Sequence, residues 1–502
     1  MRLFRKFAPN RSQESYRLDH IAQVEGVGQK ISYDDYDGLH DLYKKNYQLF
    51  IEYNIRDVEL VARMEDKLKF IEQVYALAYD AKVNYLDTFT SVRMWDVIIH
   101  NYLMDQDIVI PQMKKQSFDG GLVGGYVKEP KIGLSKWVVS FDLNSLYPHL
   151  MMQYNISPET LIEPENYTDE MRNILSQGVT VDKMLSKSVD LSALTGATMT
   201  PNGQFFRTDM QGFLPKMMEE MYQDRKKFKK MMLSAKQEYE NETDDRKKYE
   251  IEKRIAKYNN IQLAKKVSLN SAYGALGSQY FRFYDLRMAL GVTTAGQLSI
   301  RWIEAKLNEY LNKLLKTDKD YVIASDTDSI YLNLGTLVDK VYGTGQDKSV
   351  SPRIDKQKVI DFMDRVCEDK IQPFIDASYQ ELAEYVHAYK QKMEMKREGL
   401  SDKGIWTAKK RYILNVYNNE GVQYNEPDLK VMGMEMVKSS TPTVVRNKMK
   451  QLIRLIVSST EKDVQDYIAE FREEFSKLPA EDISFPRGCN GISNYSDKVT
   501  LY

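Results

Sequence analysis

The alternation of apolar and polar residues along the chain predicts an α+β fold with short strands that end in acidic residues. Two short apolar runs flank the segment Asp326-Thr327-Asp328, a pattern typical of a β-hairpin with an acidic turn. A third apolar run, residues 137–141, predicts a strand that ends at Asp142, with the carboxylate emerging at a sheet edge. Candidate acidic groups therefore stand at the ends of strands in two separate parts of the chain.

Charged helical patterns occupy two other parts of the chain. Residues 214–273 predict two long helices, and the polar run 240–245 between them suits the tip of a helical hairpin. Near the start, residues 49–60 follow a helical pattern that places Tyr53 and Asp57 one turn apart on the same face.

Length and composition describe a globular protein with several domains. The chain has 502 residues and a net charge of -1, so a nucleic-acid partner would require the positive charge to be concentrated along a groove. Two cysteines, Cys367 and Cys489, exclude a disulfide framework and indicate a reducing compartment. The sequence shows neither a signal peptide nor an apolar run long enough to span a membrane, so no membrane association is expected.

The acidic turn is a candidate metal site. In an extended chain residues i and i+2 share a face, so the carboxylates of Asp326 and Asp328 can point at one spot. Two such charges repel, and one takes up a proton unless a cation neutralises them. A hard cation with oxygen ligands, Mg²⁺ above all, suits that geometry. An ordinary turn is the alternative, because Asp is common in turns.

The two charged helices are a candidate phosphate site. Arg225 and Lys229 lie one turn apart on the first helix, and Lys266, Asn270 and Tyr273 share a face of the second. Facing each other, these helices would form a cationic pocket for a triphosphate. The alternative is the solvated surface of a coiled coil, on which such charges are common.

Four motifs, taken in order, resemble those of family B DNA polymerases. They are Ser-Leu-Tyr-Pro at residues 145–148 after Asp142, Asn-Ser-Ala-Tyr-Gly at 270–274 after a lysine pair, Asp-Thr-Asp-Ser at 326–329, and Lys-Lys-Arg-Tyr at 409–412. The likeness is strongest to the replicative polymerases of large tailed bacteriophages, and it extends over most of the chain.

The resemblance implies a right-hand polymerase fold with an antiparallel-sheet palm, two-helix fingers and a partial helical thumb. It places a C-terminal remnant of an RNase H-like exonuclease domain at residues 1–69, followed by a linker at 70–112. The palm would comprise residues 113–213 and 277–433, the fingers 214–276, and a truncated thumb 434–502.

The resemblance also implies roles for individual residues. Two Mg²⁺ ions, for which Mn²⁺ would substitute, are expected at Asp142, Leu143, Asp326 and Asp328. Lys266 joins the three aspartates as a catalytic residue. Nucleotide binding is expected at Ser145, Leu146, Tyr147, Arg225, Lys229, Lys266, Asn270 and Tyr273. DNA binding is expected at Gly124, Gly125, Tyr126, Lys409, Lys410, Arg411, Tyr412 and Lys438.

One position departs from the family pattern. Ser325 stands where the family usually has glycine before the first aspartate of the hairpin. Serine lacks glycine's backbone freedom, so Asp326 is expected to shift relative to Asp328.

The implied activity is template-dependent addition of dNMP from dNTP to a primer 3′-hydroxyl, in viral DNA replication in the host cytoplasm. Tyr53 and Asp57 resemble only the third exonuclease motif, and one helix does not supply the carboxylates that two-metal hydrolysis needs. Proofreading by this chain alone is therefore not expected. The alternative is a DNA-binding half that stays inactive until a second polypeptide supplies the exonuclease and thumb. A sliding clamp is a further candidate partner.

Overall fold

The computed structural model describes residues 2–8, 13, 15–113, 121, 123–343, 356–438 and 441–484. The chain divides into two compact units. The larger comprises residues 71–430, and the smaller combines residues 1–70 with residues 431–502. The finer boundaries expected from the sequence stay predictions.

The described residues form helices and an antiparallel sheet, as predicted for an α+β protein. The strands are β1 Gly133–Leu143, β2 Ala197–Met199, β3 Phe205–Arg207, β4 Val322–Asp326, β5 Ser329–Asn333, β6 Met395–Ala408, β7 Arg411–Asn419 and β8 Val422–Met432. The helices are α1 Arg2–Phe7, α2 Leu18–Val24, α3 Leu39–Lys45, α4 Tyr47–Leu68, α5 Phe70–Ala81, α6 Ser91–Met104, α7 Leu146–Gln153, α8 Asp169–Ser176, α9 Val181–Leu185, α10 Phe213–Asn241, α11 Asp245–Leu276, α12 Leu286–Leu315, α13 Gly335–Tyr342, α14 Lys356–Val366, α15 Gln372–Tyr385, α16 Thr443–Ser458, α17 Glu461–Phe475 and α18 Ala480–Ile483.

The main sheet has the strand order β4-β5-β1-β6-β7-β8. Its β4–β5, β5–β1, β1–β6 and β6–β7 pairs are antiparallel. One face packs as a cluster that includes Val138, Tyr331, Trp406 and Tyr412. Helix α12 contacts β4 and β5, and α15 contacts β6. Because β1 is an interior strand, its residues Val138, Val139, Phe141 and Leu143 are buried, and they lie on both faces of the sheet.

The predicted acidic hairpin is confirmed, with one difference in its backbone. Strands β4 and β5 are joined by the two-residue turn Thr327-Asp328, and Thr327 adopts a left-handed conformation with φ of 60°. Its amide donates a 2.9 Å hydrogen bond to the Tyr126 carbonyl, outside the hairpin. Asp326 and Asp328 are therefore related by a turn rather than by an extended chain.

The predicted helical hairpin is confirmed as α10 and α11, which pack together over much of their length. Two buried side chains attach α11 to earlier helices. The Lys265 ammonium lies 2.7 Å from Asp80 on α5 and 3.2 Å from Asp224 on α10. The indole N–H of Trp95 on α6 donates 3.1 Å hydrogen bonds to the Ser268 carbonyl and the Ser271 hydroxyl.

Residues 160–210 are ordered although their sequence is polar and shows no clear periodicity. This segment contains α8, α9 and the β2–β3 hairpin, and it buries apolar residues such as Met184, Phe205 and Phe206. The side chain of Asn155 donates 2.7 Å hydrogen bonds to the carbonyls of Arg207 and Met210. Polar composition concealed this order, because the segment is folded by contacts with distant residues.

The smaller unit contains α1–α4 and α16–α18. Phe4, Ala8, Ile21 and Phe70 form a buried apolar cluster. The helix predicted over residues 49–60 is confirmed as part of α4, which carries both Tyr53 and Asp57.

Among the helices of the described ranges, none combines the length and the apolar character needed to cross a lipid bilayer.

Replacing Lys265 with methionine is expected to destabilise the larger unit. The change would leave the carboxylates of Asp80 and Asp224 without their shared cation, at a cost of about 2 kcal/mol in the free energy of unfolding, because both remain partly exposed. The neighbouring Lys266 is exposed, so Lys266→Met should change that free energy by less than about 0.5 kcal/mol. Urea denaturation of both variants would measure the difference, and equal stabilities would contradict the role given to Lys265.

Candidate active site

Asp142 and Asp328 come together at the end of three neighbouring strands. Asp142 lies opposite Ser329 in the β1–β5 pair, and the Leu143 amide donates a 2.8 Å hydrogen bond to the Asp328 carbonyl. Burial, followed by the charges of Asp328 and Glu398, raises the pKa of Asp142 to about 7. Burial and the charges of Asp326 and Glu398 also raise the pKa of Asp328. The two carboxylates thus occupy a partly buried site of like charge, rather than an exposed sheet edge.

Asp326 is held differently from the other two aspartates. Its Oδ1 accepts a 3.0 Å hydrogen bond from the Thr327 hydroxyl and lies 3.2 Å from the Lys410 ammonium. The Ser325 side chain that replaces the expected glycine is buried at the end of β4. Asp326 therefore already has a cationic partner within the protein.

Glu398 and Lys430 complete the charged surroundings of the aspartates. Glu398 is the extra residue of a bulge in β6, since Ser140 pairs with Gly399 and Phe141 pairs with Arg397. Its Oε1 lies 2.8 Å from the Lys430 ammonium. Burial alone would lower the pKa of Lys430, but the Glu398 hydrogen bond and the charges of Glu398 and Asp142 raise it. The sequence analysis did not identify Lys430, because no local motif marks it.

The donor set fits a divalent cation that substrate oxygens would complete. Within the described ranges, no group of three or more His, Cys, Asp or Glu side chains is gathered closely enough to hold a metal ion. The carboxylates of Asp142 and Asp328 remain, and burial together with neighbouring negative charge raises the pKa of each. Mg²⁺ is commonly bound by one or two carboxylates together with substrate phosphates and water, which matches this set.

Tyr147 lies between the aspartates and the helical hairpin. The chain turns after β1 at Ser145, which has φ of 45°, and α7 then begins at Leu146. The Tyr147 ring lies 4.5 Å from the Tyr273 ring on α11, measured between centroids. Burial and the charge of Asp328 raise the pKa of Tyr147. The predicted strand, turn and helix are confirmed here, and Tyr147 and Tyr273 are brought together.

The basic residues of the helical hairpin differ in their surroundings. Lys229 lines a cleft of about 590 Å³ together with Asp142 and Glu398. Arg225 is partly buried, and burial lowers its pKa. Lys266 and Asn270 are both exposed on α11, about two turns and one turn before Tyr273, respectively. Of these hairpin residues, Lys229 lies at the same cleft as a candidate metal ligand.

The glycine-rich segment before β1 lies against the acidic turn. Residues 119, 120 and 122 lie outside the described residues, whereas Gly124, Gly125 and Tyr126 are within them. A Cβ atom on Gly125 would lie 2.9 Å from Thr327 Cγ2 and 3.3 Å from the Tyr147 hydroxyl. Only a residue without a side chain fits this close approach, so the segment packs tightly against the acidic turn.

The Lys-Lys-Arg-Tyr motif forms a turn and the beginning of strand β7. Lys409 and Lys410 form the turn between β6 and β7, and Lys410 has φ of 60°. Lys409 lies 3.1 Å from Glu129, and Arg411 begins β7. Tyr412 is buried, and its hydroxyl is 2.8 Å from that of Tyr331.

Two predicted sites lie in the smaller unit. Lys438 is 3.3 Å from Glu435. The Lys30 ammonium donates a 2.5 Å hydrogen bond to the Tyr53 hydroxyl and lies 2.8 Å from Asp57. A lysine thus already neutralises the carboxylate of the proposed exonuclease remnant.

The sequence is similar to those of known DNA polymerases over most of its length. The model of the family described as DNA polymerase family B matches residues 84–351, more than half of the chain, and that of a divergent family B DNA polymerase matches residues 310–474. The DNA-directed DNA polymerase of Enterobacteria phage T4 is 34% identical over 99% of this chain and 58% of its own length. That of Escherichia phage RB69 is 34% identical over 98% of this chain and 57% of its own.

A more distant relative is the DNA polymerase delta catalytic subunit of Candida albicans, which is 28% identical over 64% of this chain and 28% of its own length. The chain spans less than three fifths of the length of both phage relatives. Since the family model covers more than half of the sequence and the phage enzymes match almost all of it, the chain belongs to DNA polymerase family B.

Proposed function

We propose that this chain catalyses template-directed DNA synthesis, adding dNMP from a dNTP to the 3′-hydroxyl of a primer. The observation that carries the proposal is the joint position of Asp142 and Asp328 at the strand ends, with Lys229 lining the same cleft as Asp142. The phage relatives, described as DNA-directed DNA polymerases, support it. In this proposal the main sheet is the palm, α10 and α11 are the fingers, and α16–α18 belong to a partial thumb.

Different residues of the site would bind the metal ions, the triphosphate and the new base pair. Asp142 and Asp328 would hold two Mg²⁺ ions, with Asp326 and Leu143 beside them. Bound there, the ions would lower the pKa of the primer 3′-hydroxyl and stabilise the leaving pyrophosphate. Arg225, Lys229 and Lys266 would neutralise charge on the triphosphate oxygens.

The reaction replaces a phosphoanhydride bond of the dNTP with a phosphodiester bond to the primer. The primer 3′-oxygen bonds to the α-phosphorus, and the bond between that phosphorus and the α–β bridging oxygen breaks. Its electron pair leaves with pyrophosphate, and the hydroxyl proton passes to water. Asn270, Tyr273 and Tyr147 would shape the pocket for the new base pair, while template pairing selects the nucleotide.

The DNA would lie along residues outside the nucleotide pocket. Lys409, Lys410 and Arg411 would contact the primer backbone, and the Gly124–Tyr126 segment the template, positioning DNA without reading its sequence. A second polypeptide, a sliding clamp and action in the host cytoplasm stay predictions.

Removing one carboxylate should abolish most of the activity. Asp328→Asn is expected to slow primer extension on the order of a thousandfold, a loss of about 4 kcal/mol in transition-state stabilisation. Asp318→Asn, at an exposed position, is the matched control and should extend primers like the parent. If Asp328→Asn kept the parental rate with Mg²⁺ and dNTPs, the metal assignment would be wrong.

The buried carboxylate of Asp142 should lower the free energy of unfolding when no metal is bound. Its pKa of about 7 exceeds the value of about 4 for an unfolded chain, so its contribution to stability is present below about pH 4 and is lost as the pH rises through 7. In EDTA at about pH 8, Asp142→Asn should therefore unfold with a free energy about 1–2 kcal/mol higher than the parent, allowing for the partial exposure of the carboxyl.

Urea denaturation at about pH 4 and about pH 8 would measure the effect of Asp142→Asn, and the two proteins should be equally stable at the lower pH. Added Mg²⁺ should stabilise the parent and not the variant. A variant that is no more stable than the parent at the higher pH would contradict the burial of a charge at Asp142.

Tyr147 should discriminate against ribonucleotides. Its ring is packed on Tyr273 beside the aspartates, where it would clash with a ribose 2′-hydroxyl. Tyr147→Ala should raise the ratio of kcat/KM for rNTP to that for dNTP at least about tenfold, while Tyr147→Phe keeps the ring and the parental ratio. An unchanged ratio in Tyr147→Ala would exclude this role.

A further inference from the structure

The cleft at Asp142 has a second basic wall that no motif of the sequence marks. It encloses about 590 Å³ and lies between the helical hairpin and strand β6. Lys229 lines it from α10, and Lys396 and Arg397 line it from β6; the carboxylates of Glu368 and Glu420 line it as well. A volume of this size is typical of a site for a small ligand rather than for a single ion.

Two of the charged groups in the cleft are already neutralised within the protein. The Arg397 guanidinium lies 2.6 Å from Asp364 and donates a 2.8 Å hydrogen bond to Asn418. Glu398 is paired with Lys430 at 2.8 Å. Arg397 is therefore not free to neutralise an anionic ligand at short range, and the charge of Glu398 is already offset by Lys430.

Lys229 and Lys396 are the cations of the cleft that remain available. Lys229 has no carboxylate within 4 Å among the residues that the structure describes. Lys396 has only Glu394 nearby, at 3.6 Å, and its side chain is 50% exposed. An exposed ion pair of that length contributes little to stability. The Lys396 ammonium can therefore leave Glu394 and bind a more highly charged anion.

The sheet register directs Lys396 to the reacting end of the site. Lys396 pairs with Asp142 across the β1–β6 ladder. Side chains directly opposite each other in antiparallel strands stand on the same face of the sheet, with Cβ atoms roughly 5 Å apart. Lys396 therefore rises beside the carboxylate that is the candidate metal ligand, and faces the cleft that Lys229 also lines.

We propose that Lys396, opposite Lys229, binds the β- and γ-phosphates of the incoming dNTP and then the pyrophosphate formed from them. This inference rests on the polymerase function proposed above and adds a palm residue to the phosphate contacts assigned to the fingers. When the bond between the α-phosphorus and the bridging oxygen breaks, the electron pair remains on that oxygen of pyrophosphate. A cation beside Asp142 stabilises this charge as it develops.

The same contact has a consequence for the reverse reaction. A lysine is a point charge that can follow a phosphate group as it moves, whereas a planar guanidinium favours one fixed arrangement. Lys396 should therefore bind pyrophosphate as a product, and as the substrate of pyrophosphorolysis, as well as the dNTP.

The test compares Lys396→Gln with the parent in steady-state primer extension, with inorganic pyrophosphate as product inhibitor. Loss of one charged phosphate contact should raise both the KM for dNTP and the inhibition constant of pyrophosphate about tenfold. The Kd for primer-template DNA should not change. Lys396→Arg, which keeps the charge, should recover most of the loss, and Lys313→Gln at an exposed position on α12 should behave like the parent.

An inhibition constant for pyrophosphate within about twofold of the parent in Lys396→Gln would overturn the inference. A parent that extends no primer would instead contradict the polymerase function. In that case calorimetric titration of the parent and of Lys396→Gln with pyrophosphate and Mg²⁺ would still decide the inference: weaker binding by the variant supports it, and equal binding overturns it.

Discussion

The repulsion between Asp142 and Asp328 is the constraint on which the rest of the site depends. The two carboxylates are brought together by the β1–β5 register and by a turn whose central residue, Thr327, is left-handed. Burial raises the pKa of both, together with the charges of Asp328 and Glu398 at Asp142 and those of Asp326 and Glu398 at Asp328. A protein gains no stability from such an arrangement, and the usual reason to retain it is function at the site. A divalent cation bound by the two carboxylates would offset the repulsion between them.

The surrounding structure limits how that charge is neutralised. Lys410 is paired with Asp326, and Lys430 is paired with Glu398, so each of these carboxylates has its own ammonium group. Asp142 and Asp328 are left as the carboxylates whose pKa is raised, by burial first and then by neighbouring negative charge. Basic side chains from α10 and β6 line the cleft at Asp142. This arrangement fits the proposal that a carboxylate pair binds metal and that separate cations bind phosphate.

Local pattern was sufficient to predict the elements that hold the main catalytic candidates. The hairpin around Thr327, the strand ending at Asp142 and the long helices α10 and α11 each follow from the spacing of apolar residues over a short window. The motif around Tyr147 also predicted the turn into a helix. These features depend on neighbours in sequence, and for that reason they could be read without the structure.

Contacts between distant residues could not be predicted in this way. Lys265 and Lys266 are adjacent in sequence, yet one is buried between two carboxylates and the other is exposed. The bulge at Glu398 and the pairing of Lys430 depend on the register of three strands. The turn at Lys409 and Lys410 depends on the pairing of β6 with β7, since the chain reverses there. Periodicity within one segment contains none of this information.

The most direct measurement is a double-mutant cycle of Mn²⁺ binding, followed by electron paramagnetic resonance, for Asp142→Asn, Asp328→Asn and the variant with both changes. If the two carboxylates hold the ions jointly, either single change should lower the affinity nearly as much as both together. Losses that simply add would mean that the two residues bind independently, and they would contradict the shared site on which this account depends.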